Sequence, residues 1–197
     1  AKVLVVDQDL VVVGAEKLSG PLAQAFEDKF GIRPLEGYGC TELSPVAIIS
    51  IPNIVEGNHE FLGNKSGKAG IPIPGVAAKI IEPESGKLLG VGEPGMLLIK
   101  GPNIMKGYLH NPEKTNEVIR DGWYITGDIA NIDQDGFIEI TDRLSRFSKV
   151  GGEMVPHKKI EEALGMALDT PEQVCVVTSI SDASRGERLI VLHTIEL

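Results

Sequence analysis

Three segments carry residue types able to do chemistry: GYGCTE at 37–42, GWYITGD at 122–128 and DGFIEITDRLSRFSKVGGEMV at 135–155. In the first, Gly37 and Gly39 permit a sharp turn and a close backbone approach to a ligand. Tyr38 offers a flat aromatic face for a stacked ring. Thr41 supplies a hydroxyl suited to a phosphate oxygen. Glu42 supplies a carboxylate that suits one position of an otherwise water-coordinated magnesium ion. Asp128 closes the second segment and can accept two hydrogen bonds at once, as a pair of adjacent hydroxyls would require. Arg143 is a rigid donor fork that could close the same site from the other side. A plainer reading stands beside each: a Gly-containing turn with a buried tyrosine and a capping threonine, and a structural Asp–Arg pair across a hairpin.

Other reactive residue types are not arranged for chemistry. His59, His110, His157 and His193 show no acidic or serine partner pattern, so none reads as a general base. Cys40 and Cys175 are too few for a disulfide framework and lack neighbours at metal-ligand spacing. A reducing, cytoplasmic setting follows as the expectation. The net charge of −9 argues against a nucleic-acid groove. No apolar run approaches the ~20 residues that span a bilayer, and the first residues show no secretory pattern. One stretch runs against the overall charge: Arg143, Arg146, Lys149, Lys158 and Lys159 are opposed only by Glu153. That is either a solvated face or a docking patch for something acidic. GNKSGKAG at 63–70 lacks the glycine spacing of a phosphate loop and has Ala69 where a hydroxyl would meet magnesium, so it reads as a surface turn.

The elements that must position these residues can be read from pattern. At 197 residues and 42% hydrophobic, the chain has room for one domain plus part of another. KVLVV and LVVVG read as buried strands, and the first fifty residues as β-α-β. Ser19 caps a helix with Pro21 near its start, Leu18, Leu22, Phe26 and Phe30 on one face, and Gly31 at its end. A strand near Arg33–Glu36 delivers the chain into GYGCTE, at the edge where open α/β sheets bind ligands. Residues 67–101 alternate in short runs broken by Gly and Pro, the pattern of a β meander or small barrel. GFIEIT at 136–141 adds a strand after the DQDG turn. Trp123 and Tyr124 read as core residues. From Ser145 a loop rich in Gly and Lys leads to the helix PHKKIEEALGMAL, with Ile160, Ala163, Leu164 and Leu168 on one face. Strands VCVVTSI and RLIVLHTIEL follow. The expected organisation is α/β and α+β: a partial βαβ layer at 1–60, a β-rich portion at 61–144, and an incomplete α+β unit at 145–197.

In order and spacing, the three segments resemble the adenylate-forming superfamily of acyl-CoA synthetases, peptide-synthetase adenylation domains and luciferases. GAE at 14–16 and KGPNIMKGYLHNPEKT add further matches, and the resemblance covers nearly the whole chain. It implies that ATP or AMP is held by Gly14, Ala15, Glu16, Gly37, Tyr38, Gly39 and Cys40, with Ile140 beside the adenine and Asp128 and Arg143 on the ribose hydroxyls. Thr41 and Glu42 would act on phosphate and Mg2+. Gly151, Gly152 and Glu153 would line the tunnel for a phosphopantetheine thiol, carried by acyl carrier protein or CoA. Position 145 would be the hinge, although Ser145 stands where the family has Asp or Lys. GAEKL, LEGYGCTELSP and KVGGEMV resemble most the bacterial 2-acylglycerophosphoethanolamine acyltransferase/acyl-carrier-protein synthetase branch. That branch implies fatty acid as substrate, acyl carrier protein docking on Arg143–Lys159, and a link to lysophospholipid reacylation. It also implies a fused acyltransferase and a place on the cytoplasmic face of the inner membrane. The family's phosphate loop and late lysine are absent from the sequence, so a middle-to-late portion of a longer ligase, inactive in isolation, is expected. Two alternatives stay open: a nucleotide-binding or interaction module, and a degenerate synthetase acting as a scaffold.

Overall fold

β-Branched runs become strands where turn residues bound them, in a computed structural model that describes residues 2–7, 10–170, 174–182 and 184–194. The chain forms two compact units, Ala1–Thr141 and Asp142–Leu197.

The first unit holds two five-stranded sheets. One runs in the order Lys2–Asp7, Leu10–Gly14, Leu35–Tyr38, Ile48–Ile49, Ile71–Pro72. Its single parallel pairing joins Leu10–Gly14 to Leu35–Tyr38, with Val12 opposite Leu35 and Val13 opposite Glu36. The crossover between them is α1 (Gly20–Phe30). The Ser19 hydroxyl accepts from the Leu22 N–H, and Gly31 ends the helix in the left-handed region at φ 72°. The expected apolar face is not buried: Leu22 and Phe30 are each 55% exposed, and Ala23 is the helix residue that packs inward. The first strand departs from β-α-β order, because Lys2–Asp7 pairs antiparallel with Leu10–Gly14.

The second sheet orders Ile119–Arg120, Trp123–Ile132, Gly95–Lys100 and Ala77–Ile81, and Ile138–Arg143 also pairs with Trp123–Ile132. Leu43, Ile48, Leu97, Ile99 and Ile138 are fully buried in one core cluster to which both sheets contribute. Tyr124 joins this core, whereas Trp123 is only half-buried and lies under Lys79, whose Nζ is 4.2 Å from the ring centroid. GNKSGKAG is a tethered turn: Lys65 Nζ pairs with Asp133 and Asp135 at 2.8 and 2.6 Å, and Lys68 Nζ with Glu139 at 2.9 Å. A short helix, α2 (Pro112–Val118), begins at Asn111, whose side chain accepts from the Lys114 N–H.

In the second unit an antiparallel sheet orders Glu153–Pro156, Phe147–Val150, Gly186–His193 and Cys175–Asp182. The expected Gly-rich loop is a hairpin. Val150 pairs with Glu153, and Gly151 (φ 62°) and Gly152 (φ 93°) form the two-residue connection that requires positive φ at both positions. The last strand stops at His193, and residues 195–197 of the expected strand lie outside the described residues. The inward face of α3 (His157–Ala167) is rotated from the apolar one: His157 and Glu161 are its buried residues, while Ala163 and Leu168 are exposed. The cause is polar. Arg146 places one nitrogen 2.6 Å from both Glu161 oxygens, and the Val177 N–H donates to Glu161 Oε1 at 2.7 Å. His157 Nε2 lies 2.6 Å from Ser148 Oγ, so this histidine does have a serine partner. Ser148 is fully buried and His157 is 5% exposed, so the pair anchors the start of the helix.

Candidate functional site

Parallel register sets the strand ends Gly14 and Gly37 side by side; a Cβ added to Gly14 would meet the Gly37 carbonyl oxygen at 3.3 Å. Ala15 follows in the left-handed region at φ 71°, a conformation that costs an alanine about 1–2 kcal/mol. Ala15 and Glu16 are both exposed. Gly39 is required by close approach: an added Cβ would lie 1.9 Å from the Pro45 carbonyl oxygen. Gly37 is not, since its nearest neighbours would be at 3.5 Å. Thr41–Leu43 form a single 3-10 turn that leaves Thr41 exposed.

Asp128 is placed by a bulge. Ile125 pairs with Leu98 and Ile129 with Met96, so Thr126, Gly127 and Asp128 stand opposite Leu97 alone. Thr126 Oγ1 donates to the Leu97 carbonyl at 2.8 Å and accepts the Asp128 N–H at 3.0 Å. The Asp128 side chain then meets Tyr38, whose hydroxyl donates to Oδ2 at 2.6 Å across 90 residues of sequence. Burial and the Asp128 charge push the Tyr38 phenol above the ordinary tyrosine range, so it stays a donor. Ile140 is half-buried against the core.

Glu42 is held from another direction. The Tyr108 hydroxyl donates to Glu42 Oε1 at 2.7 Å, which holds the carboxyl below its usual range and pushes Tyr108 up to about 12. The carboxylate keeps acceptor capacity for further partners. The Met105 N–H donates to the Glu42 carbonyl at 2.8 Å. Asn103 Nδ2 donates to the carbonyls of Leu43 and Val46, both at 3.0 Å, while its Oδ1 is buried without a hydrogen-bond partner. Cys40 Sγ lies 3.8 Å from the Tyr124 hydroxyl, and burial raises its thiol, which suits a packing residue better than a nucleophile.

Thus Gly14–Glu16, Gly37–Glu42, Asp128 and Ile140 all lie in the first unit, with Tyr38 and Asp128 in direct contact. In the second unit Arg143 is exposed, and its N–H donates to Asp142 Oδ1 at 2.8 Å. Ser145 is exposed within the 3-10 turn Leu144–Arg146, and Glu153 is exposed beside the Gly151–Gly152 loop. Three supporting residues were not singled out from sequence: Tyr108, Asn103 and Thr126. KGPNIMKGYLHNPEKT stands out in the sequence only as a segment, because nothing local in it shows that its tyrosine reaches an acid 66 residues away. Among the described residues no group of three or more His, Cys, Asp or Glu is arranged to hold a metal. No helix among them is long and apolar enough to cross a membrane.

A profile of the AMP-binding enzyme family matches residues 6–109, more than half of the chain and inclusive of Tyr38, Glu42 and Tyr108. The chain belongs to the AMP-binding enzyme family. Members of the family are similar over most of it. A probable 4-coumarate–CoA ligase 1 of Dictyostelium discoideum is 41% identical over 177 residues, which is 88% of this chain and 30% of that protein. A long-chain-fatty-acid–CoA ligase of Bacillus subtilis is 38% identical over 174 residues, 88% of this chain and 29% of that protein. Among solved structures, ATP-bound MatB from Rhodopseudomonas palustris superposes with a TM-score of 0.71 at 31% identity, covering 91% of this chain and 34% of that one. The chain thus spans about a third of the length of the AMP-binding enzymes it matches, and it shares their mixed α/β fold over that span.

Proposed function

We propose that the protein carrying this chain is an ATP-dependent acyl-activating ligase. In this reading a carboxylic acid, with a fatty acid as the favoured class, attacks the α-phosphate of ATP to give acyl-adenylate and pyrophosphate. A phosphopantetheine thiol then displaces AMP to give the thioester. One observation carries the reading: Tyr38 and Asp128, an aromatic ring and a carboxylate, are brought into contact by a bulge on one side and, on the other, by the strand whose parallel register sets Gly37 beside Gly14. The relatives named CoA ligases and a neighbour bound to ATP support it.

The roles follow from chemistry. A substrate carboxylate is already ionised at neutral pH, so no general base is needed. Tyr38 would stack on the adenine with Ile140 and the backbone of Gly14–Glu16 at its edge, and Asp128 with Arg143 would take the ribose hydroxyls. Thr41 would contact phosphate. Glu42 would hold Mg2+ together with water and phosphate oxygens, a donor set in which one protein carboxylate suffices. When bound, the ion supplies charge neutralisation at the phosphates. The hairpin loop Gly151–Gly152 with Glu153 would border the thiol, and Ser145 would lie at the hinge between half-reactions. The thiol carrier would be acyl carrier protein or CoA, and Lys158 with exposed Lys159 would suit the acidic face of the former. The pairing of Arg146 with Glu161 takes one charge out of that basic patch.

The test is fatty-acid-dependent ATP–pyrophosphate exchange in the whole protein, followed by thioester formation with CoA and with acyl carrier protein. Asp128→Ala is expected to weaken ATP binding by roughly 1.5–3 kcal/mol for each lost charged hydrogen bond. Unchanged ATP dependence in that variant would refute the ribose assignment.

A further inference from the structure

Resting on that reading of Glu42, we propose that Tyr108 is a positioning residue: its phenol selects the one orientation of the Glu42 carboxylate that can serve a cation–phosphate group. Glu42 needs such help. It sits in a three-residue 3-10 turn, and a glutamate there has three torsions with which to swing. The Gly101–Tyr108 segment clasps this turn at several points. Asn103 holds the Leu43 and Val46 carbonyls, the Met105 N–H holds the Glu42 carbonyl, and the Tyr108 hydroxyl holds the carboxylate.

Tyr108 is itself fixed. Its N–H donates to Thr115 Oγ1 at 2.9 Å, and that hydroxyl donates to the Asn111 carbonyl at 2.9 Å. The preceding Gly107 adopts φ 147°, and a Cβ there would strike Thr115 at 2.8 Å, so the close approach depends on a glycine. The partner type is equally telling. A lysine or arginine in this place would orient the carboxylate but also neutralise it. A phenol donates one hydrogen bond and leaves the full negative charge and the remaining lone pairs for a cation. Tyr108 therefore prepares Glu42 without competing for its charge.

The experiment is a double-mutant cycle in the whole protein with Tyr108→Phe, Glu42→Gln and both together. Two readouts are followed: the Mg2+ concentration that half-saturates pyrophosphate exchange, and Mn2+ affinity in the presence of ATP, measured by electron paramagnetic resonance without turnover. Tyr108→Phe keeps the ring, so thermal unfolding should stay close to wild type. Its apparent metal dissociation constant should rise roughly three- to tenfold, as expected when a side chain is released among its staggered wells. The double variant should match Glu42→Gln alone, because Tyr108 acts only through that carboxylate. Wild-type metal affinity in Tyr108→Phe overturns the positioning role. So does a double variant whose losses multiply, which would mark Tyr108 as general loop support. Undiminished metal affinity in Glu42→Gln would overturn the reading of Glu42 itself, and the positioning role with it.

Discussion

The Tyr38 hydroxyl lies 2.6 Å from Asp128, so one side chain links the proposed adenine platform to the proposed ribose acceptor. Tyr38→Phe separates these duties by keeping the ring and removing the donor. Loss of a hydrogen bond to a buried charged group should lower stability to urea by about 1–3 kcal/mol, since Asp128 is only 7% exposed. ATP affinity should also fall several-fold, because the carboxylate loses one of the contacts that orient it. Isothermal titration with ATP decides the point; wild-type affinity would mean that the ring alone matters. At this scale the sequence offers Tyr38, Glu42, Asp128 and Arg143 as candidates because each residue type announces a chemistry, and folding brings Tyr38 and Asp128 into contact. Their supports were not legible, because Tyr108 and Thr126 are ordinary residue types whose meaning comes from a partner brought near by folding.

Among the elements, α1 and α3 show where periodicity succeeds and fails. Cap and stop residues located α1 well: Ser19 and Gly31 act through their own local backbone bonds. Apolar spacing mislocated the inward face of α3, since it gives no weight to a glutamate. Glu161 has a side chain 8% exposed and satisfies both the Arg146 guanidinium and the Val177 N–H. Replacing one partner of a buried pair leaves the other uncompensated. Glu161→Ala is expected to destabilise the second unit by about 2–4 kcal/mol, toward the lower end because Arg146 is 36% exposed and can turn to water. Chemical unfolding followed by circular dichroism would check this. A loss under about 0.5 kcal/mol, typical of surface positions, would show that the pair is dispensable.

Across the whole molecule, element order and the change from β-rich to α+β character could be read from turn residues and β-branched runs. Strand pairing could not: the antiparallel first strand, the two-sided burial of Gly95–Lys100 and the bulge at Thr126–Asp128 are set by contacts distant in sequence. The ion pairs that tie distant segments of the first unit are of the same kind. Glu139 accepts from Lys17 at 3.0 Å and from Lys68 at 2.9 Å, joining the entry to α1, the 63–70 turn and the strand Ile138–Arg143. Burial pushes the Glu139 carboxyl up, but the hydrogen bonds and charges of Lys68 and Lys17 outweigh it and hold it at about 2, against an ordinary 4.5. A carboxyl depressed on folding stabilises the native state fully above its unfolded value. That contribution fades as pH falls from about 4.5 toward about 2, because the unfolded chain takes up the proton first. Glu139→Gln removes the titration. The variant should therefore be less stable than wild type at neutral pH by an amount on the order of 1–3 kcal/mol. The gap should narrow as the pH approaches 2, where wild-type Glu139 is itself half protonated, and close below it. Urea denaturation across this range measures the difference. A gap that stays constant with pH would assign the effect to lost packing in place of the two lysine pairs.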